Sequence, residues 1–159
     1  TSMGKGDTKE LYVLLRDLEC TRDSILHAMG FILTRSEDAK DITTILTEAL
    51  TLRSSPIELK IARLYLLSDV LYNDVMYNTS PLDENFSVYK DEFKSRMKKI
   101  FKSIASAIDR VDPPPARVNV RTRVGRVLGT WAAWGLYPDE AIQRWGEIVS
   151  DSGSLDDLE

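Results

Sequence analysis

Apolar residues recur along this chain at three- and four-residue intervals, a spacing that predicts helices almost from end to end. Leu11, Leu14, Leu15 and Leu18 make a first stripe, on a short helix expected to begin near Asp7 or Thr8. Thr21 is placed to cap a second helix, in which Ile25, Met29, Ile32 and Leu33 repeat the pattern. Ser36 is placed to cap a third; Glu37 and Asp38 suit the positive end of its dipole, and Ile42, Ile45, Leu46 and Ala49 form its apolar face. The fourth helix has the strongest start signal, with Ser55 as N-cap, Pro56 at the first helical position and Glu58 as the capping-box acid. It is expected to run to about Tyr77, where "NTSP" (78–81) breaks it. A fifth segment, from about Asn85 to Arg110, carries Phe86, Tyr89, Phe93, Met97, Ile100, Phe101, Ile104 and Ile108 at helical spacing, until "DPPP" (112–115) stops it. Val120, Val124, Val127, Leu128 and Trp131 line one side of the next helix; "VNVRT" within it alternates like a strand, but the longer period is helical. Pro138 opens a last helix through Trp145 and Ile148 to about Ser150. With no strand pattern and no fixed-period repeat, the expected fold class is all-α, a wound array of seven or eight short amphipathic helices.

The fourth helix breaks its own pattern. In "ARLYLLSDVLYND" (62–74) a carboxylate, Asp69, lies between Leu67 and Leu71. Residues four apart share a helix face, so Tyr65, Asp69 and Asn73 form one polar stripe, while Ile57, Ile61, Leu64 and Leu71 face the core, with Leu67 or Ser68 beside them. Asp69 is thereby placed at a groove edge, and a carboxylate partly withdrawn from water needs hydrogen-bond donors. Two sources stay open: a ligand hydroxyl or N–H, with Asn73 beside it as donor and acceptor, or the protein itself, through a loop or an arginine such as Arg126.

Charge adds a second asymmetry. The chain of 159 residues carries a net charge of −4, but Lys90 to Arg126 holds 11 Lys/Arg against 4 Asp/Glu, leaving 10 against 21 elsewhere. This basic stretch reads either as an anion-facing surface or as a solvated pair of helices whose charges segregate. The length suits one domain, expected over residues 7–150, with residues 1–6 a scar or frayed end and "DSGSLDDLE" (151–159) an acidic disordered tail. One cysteine, Cys20, rules out an internal disulfide and fits a reducing compartment, cytosol or nucleus. No apolar run approaches the ~20 residues that cross a bilayer.

Catalytic and metal chemistry has little material here. There is no Gly-rich phosphate loop, no nucleophile elbow, no H-E-x-x-H and no cysteine pair at metal spacing. The paired carboxylates Asp83/Glu84, Asp91/Glu92 and Asp156/Asp157 are adjacent in sequence and do not face one another on a helix. His27, the one histidine, reads as a packing or surface residue. The residues themselves describe a helical binding module without enzymatic activity, cofactor or metal.

Two motifs carry a resemblance to a known family. "KIARLYLLSDVLYN" (60–73) and "GRVLGTWAAWGLYP" (125–138) resemble the fourth- and seventh-helix signatures of the RNA polymerase II C-terminal-domain-interacting domains, or CIDs. "HAMGFILTRSEDAKDITTILTEALTL" (27–52) is similar to the second and third helices of one branch, the SURP-motif, serine/arginine-related splicing proteins associated with the U-two snRNP. The resemblance covers roughly Leu11 to Val149 and implies an eight-helix right-handed superhelix, of the VHS/ENTH kind, that receives the polymerase's heptad-repeat tail, often phosphorylated. By position it implies that Asp69 accepts the heptad tyrosine hydroxyl, that Asn73 bonds the peptide backbone, and that Tyr65, Val127 and Leu128 wall an apolar slot. Arg126 becomes a phosphate or carbonyl contact, and Arg117, Arg121 and Arg123 join it as anion-facing cations. Ser68 stands where many members place the aspartate, and Trp134 where some phosphoserine-reading members have arginine. The expected protein is a monomeric, nuclear peptide-binding domain that couples transcription to splicing, with docking of another splicing factor as the alternative. Neither a membrane nor direct RNA binding is expected.

Overall fold

A computed structural model describes residues 2–77 and 88–154, and its regular structure is all-α, with no strand among the described residues. The elements are α1 (Lys5–Arg16), α2 (Arg22–Leu33), a short 3-10 turn (Ser36–Asp38), α3 (Ala39–Thr51), α4 (Ile57–Tyr77), α5 (Val88–Lys94), α6 (Met97–Asp109), α7 (Pro114–Trp134) and α8 (Asp139–Ser154). They divide into two units, Thr1–Arg96 and Met97–Glu159. The expected break at 78–81, Asn85, Phe86, the Asp83/Glu84 and Asp156/Asp157 pairs and the end of the acidic tail lie outside the described residues.

Several boundaries differ from the sequence expectation. Helix α1 starts at Lys5 rather than near Asp7, and ahead of it Met3 is buried with its N–H donating to Asp41 Oδ2 at 2.7 Å. Ser36–Asp38 forms a 3-10 turn, so the third helix begins at Ala39. The segment expected to be one helix to Arg110 is two: Arg96 N–H turns back to the Phe93 carbonyl at 2.9 Å, closing α5 before α6 opens at Met97. Both Phe93 and Met97 are fully buried, which is why the apolar spacing ran on across the break. Helix α8 continues to Ser154, past the expected end at Ser150.

In the first unit, α4 packs on α2, α3 and α5, and α1 packs on α2 and α3. Ile61, Leu64, Leu66, Leu67, Val70 and Leu71 of α4 are all fully buried. Four polar residues of the same helix, Lys60, Arg63, Ser68 and Asp74, are buried with them. Lys60 Nζ donates to the carbonyls of Leu50 (2.9 Å) and Leu52 (3.3 Å), at the C-terminal end of α3. Arg63 Nε donates to the Leu15 carbonyl at the end of α1 (3.1 Å), and its Nη1 to the Ala49 carbonyl (2.8 Å) and to Ser55 Oγ (2.7 Å). A helix leaves its last four carbonyls unpaired and its C-terminal end negative, so a cation there satisfies both. Burial alone pushes the Arg63 pKa down. Asp74 Oδ2 accepts from Tyr89 N–H at the start of α5 (3.1 Å), and Tyr89 Oη donates to the Ile32 carbonyl near the end of α2 (3.1 Å).

The second unit is built around aromatics. Phe101 of α6 stacks on Trp145 of α8 (5.9 Å, 18°) and meets Trp131 of α7 edge-on, and Tyr137 sits edge-on to Trp145 at 5.2 Å. Pro114 and Pro115 open α7, so "DPPP" serves as a start as well as a stop. Gly135 ends α7 at φ 64°, ψ 30°; its N–H bonds to the Ala132 carbonyl, and Leu136 N–H to that of Trp131. This double closure needs a left-handed residue, which glycine adopts without cost from a Cβ.

Two stability outcomes follow from these contacts. Arg63→Met leaves carbonyls at the ends of two helices without a donor, and is expected to lower unfolding free energy by about 2–4 kcal/mol in urea titration; Arg63→Lys recovers only part, because one ammonium cannot serve both directions. Gly135→Ala meets no atom within 4 Å, so its expected loss, about 1 kcal/mol, is backbone strain alone. Gly135→Asn should lose less in the same measurement.

Candidate functional site

The polar stripe of α4 lies where that helix packs on α2. Tyr65, Asp69 and Asn73 are each half-buried, and Ser68 beside them is buried. Asn73 Nδ2 donates back to the Asp69 backbone carbonyl (2.8 Å) and across to Met29 Sδ on α2 (3.1 Å). That leaves Asn73 Oδ1 to accept from an incoming N–H. The Asp69 carboxylate accepts no hydrogen bond among the described residues, and the charge acting on it is Arg22, at the start of α2.

Spacing along the two helices completes the face. Arg22, Leu26 and Met29 recur at i, i+4 and i+7 on α2, as Asp69, Asn73 and Met76 do on α4. Leu26, Tyr72 and Met76 are exposed, so apolar side chains flank the half-buried carboxylate. Met29 and Leu33, which belong to the apolar pattern of α2, are half-buried, because α2 turns only Ile25, Ala28, Phe31 and Ile32 fully inward. Arg22 and Leu26 had been passed over, although their spacing from Met29 was visible.

In the second unit the basic positions separate. Arg117 Nε donates to the Val111 carbonyl (2.8 Å) and its guanidinium lies 3.7 Å from Asp112. Arg121 lies 3.7 Å from Asp109, with its Nε buried. These two arginines therefore tie α7 to the end of α6 and the turn after it, with about a quarter of each side chain still exposed. Arg123 is half-buried, and Arg126 is exposed. Val127 is buried, and so is Leu128, whose Cδ1 would lie 3.9 Å from a Cβ added at Gly146. Leu128 thus packs α7 against α8, and with Val124, Gly125 and Gly146 it lines an open depression between the two helices. Trp134 is 42% exposed.

A family model for the CID domain matches residues 9–145. The chain belongs to the CID domain family. Two proteins of Arabidopsis thaliana are similar to it: Protein RRC1-like is 36% identical over 129 residues, and Protein RRC1 is 34% identical over 129 residues. Each alignment covers 81% of this chain but only 13% of the relative's length. CID domains are protein-interaction modules that generally bind the C-terminal tail of RNA polymerase II. No helix among the described residues of this CID domain is long and apolar enough to cross a membrane, and no cluster of metal-ligating side chains occurs among them.

Burial pushes the Asp69 pKa up, with Arg22 opposing. A raised folded-state value means the folded chain holds the proton more tightly than the unfolded chain. The stabilisation is fully present below the ordinary aspartate range and is lost as pH rises through the folded-state pKa. Asp69→Asn is therefore expected to leave this CID domain unchanged or stabilised by up to about 0.5 kcal/mol at neutral pH, the difference vanishing in acid. Urea titrations at several pH values check this; a loss above about 1 kcal/mol at pH 7 would make Asp69 a structural acceptor.

Proposed function

We propose that this domain binds the heptad-repeat tail of RNA polymerase II, with α4 receiving a tyrosine of the tail. The observation that carries this reading is Asp69: a half-buried carboxylate with no hydrogen-bond donor among the described residues, flanked by an amide and exposed apolar side chains. A phenol supplies what such a position lacks, a hydroxyl to donate to the carboxylate and a ring to cover apolar surface. Asn73 Oδ1 then accepts a peptide N–H, and Tyr65 packs beside the ring. Arg126, exposed on α7, contacts phosphate or carbonyl oxygen on the tail, with Val127 next to it in sequence and Arg123 three residues before it.

The motifs at 27–52, 60–73 and 125–138 support placing the domain in the SURP-motif, serine/arginine-related splicing branch, hence a nuclear protein that couples transcription to pre-mRNA splicing. A second reading, docking of another splicing factor without tail recognition, is favoured by the exposed indole of Trp134 where a guanidinium stands in some members.

Fluorescence anisotropy with plain and phosphorylated heptad peptides tests the choice. Losing a charged hydrogen bond predicts that Asp69→Asn weakens every heptad peptide by about tenfold or more. Arg126→Ala should weaken phosphorylated peptides selectively, by about two- to fivefold at an exposed site. Unchanged affinity in both variants would refute the assignment of these residues, and failure of every heptad peptide to bind would favour the docking reading.

A further inference from the structure

A second surface lies on α1, away from the α2–α4 stripe. Lys5, Thr8, Lys9, Tyr12, Val13 and Arg16 recur at i, i+3, i+4, i+7, i+8 and i+11, so they occupy one face of α1, beside its buried Leu11 and Leu15. With Met3 they line an open depression of about 650 Å³. A second depression, about 260 Å³, continues from it between α1 and α3, sharing Tyr12 and Arg16 and reaching Leu52. Three apolar side chains stand out along this path: Tyr12 (49% exposed), Val13 (37%) and Leu52 (52%).

Charge decides what fits. The acids of α1 face elsewhere: Asp7 pairs with Arg35 at 3.3 Å, and Glu10 falls outside the lining. No carboxylate lines the larger depression, whereas three cations do. Arg16 is held by Asp17 at 2.9 Å, so Lys5 and Lys9 carry the net positive charge. In the smaller depression the one carboxylate, Glu48, is exposed and accepts from Tyr12 Oη at 3.3 Å. Lys5 and Arg16 lie about 16 Å apart along the helix axis, the reach of about five extended residues.

We propose that this α1 face docks a short, extended, acidic peptide segment of a partner protein, with one aliphatic or aromatic side chain seated between Tyr12 and Leu52. The carboxylates of the segment lie along Lys5 and Lys9, and its anchor fills the smaller depression. The surface is independent of the tail-binding reading, because none of its residues belongs to the α2–α4 stripe.

The test titrates the whole chain with a fluorescein-labelled hexapeptide alternating glutamate and leucine, and with a lysine–leucine peptide of equal length. Saturable binding of the acidic peptide alone is expected, weakening as salt rises. Lys5→Glu combined with Lys9→Glu should weaken it by about tenfold or more, and Tyr12→Ser by about threefold or more, with circular dichroism unchanged. Asp69→Asn should bind the acidic peptide as the unaltered chain does. Amide shifts mapping to α1 and Leu52 in a two-dimensional NMR titration would place the peptide directly. Equal binding of the two peptides, indifference to the lysine reversals, or no saturation up to about 1 mM would each overturn the proposal.

Discussion

Two cations with almost no contact with water hold the first unit together. Burying an ammonium and a guanidinium is unfavourable by several kcal/mol unless their protons are bonded and their charge is met. Lys60 and Arg63 meet both conditions at the carboxyl ends of α1 and α3, where unpaired carbonyls and helix dipoles point the same way. Charge and carbonyls therefore depend on each other.

This arrangement gives α4 two chemically opposite sides. Its first turns fasten α1 and α3 from within, and Asp74 near its end accepts from the start of α5. With that helix fixed, Asn73 meets α2 through its bond to the Met29 thioether. A carboxylate at this edge contributes little to folding, which leaves its geometry to be set by what approaches from outside. In the second unit the division of labour is different: the clustered rings of Phe101, Trp131, Tyr137 and Trp145 fix three helices, and Arg117 and Arg121 lie along the seam between α6 and α7.

Helix content was legible because burial imposes a 3.6-residue period, and the stripe on α4 was legible because four-residue spacing fixes which side chains share a face. The buried cations were not. Lys60 and Arg63 read as ordinary surface charges in a helix, since their partners are backbone atoms of distant segments and leave no mark in sequence. The break at Ser95 and Arg96 was hidden for the same kind of reason, with Phe93 and Met97 both inward on either side of it. The bonds of Arg117 and Arg121 to the end of α6 and the turn after it were not legible either, because net charge says how many cations a segment has, not which are bonded to a neighbouring helix. Thr43 and Thr47, buried with unpaired hydroxyls, extend the apolar face of α3 beyond the four residues its pattern offered, because α3 packs on α1, α4 and α5 at once.

The fastening of α1 and α3 through carbonyl oxygens has an evolutionary side. Every residue type presents the same carbonyl, so Leu15, Ala49, Leu50 and Leu52 are recognised by Lys60 and Arg63 without regard to their side chains. The demand for particular chemistry falls entirely on the donors. Substitutions at the ends of α1 and α3 can accumulate while the joint persists, whereas the joint has two positions at which a single change undoes it. A chain built this way keeps its scaffold in very few letters and leaves its outer faces open to acquire new partners.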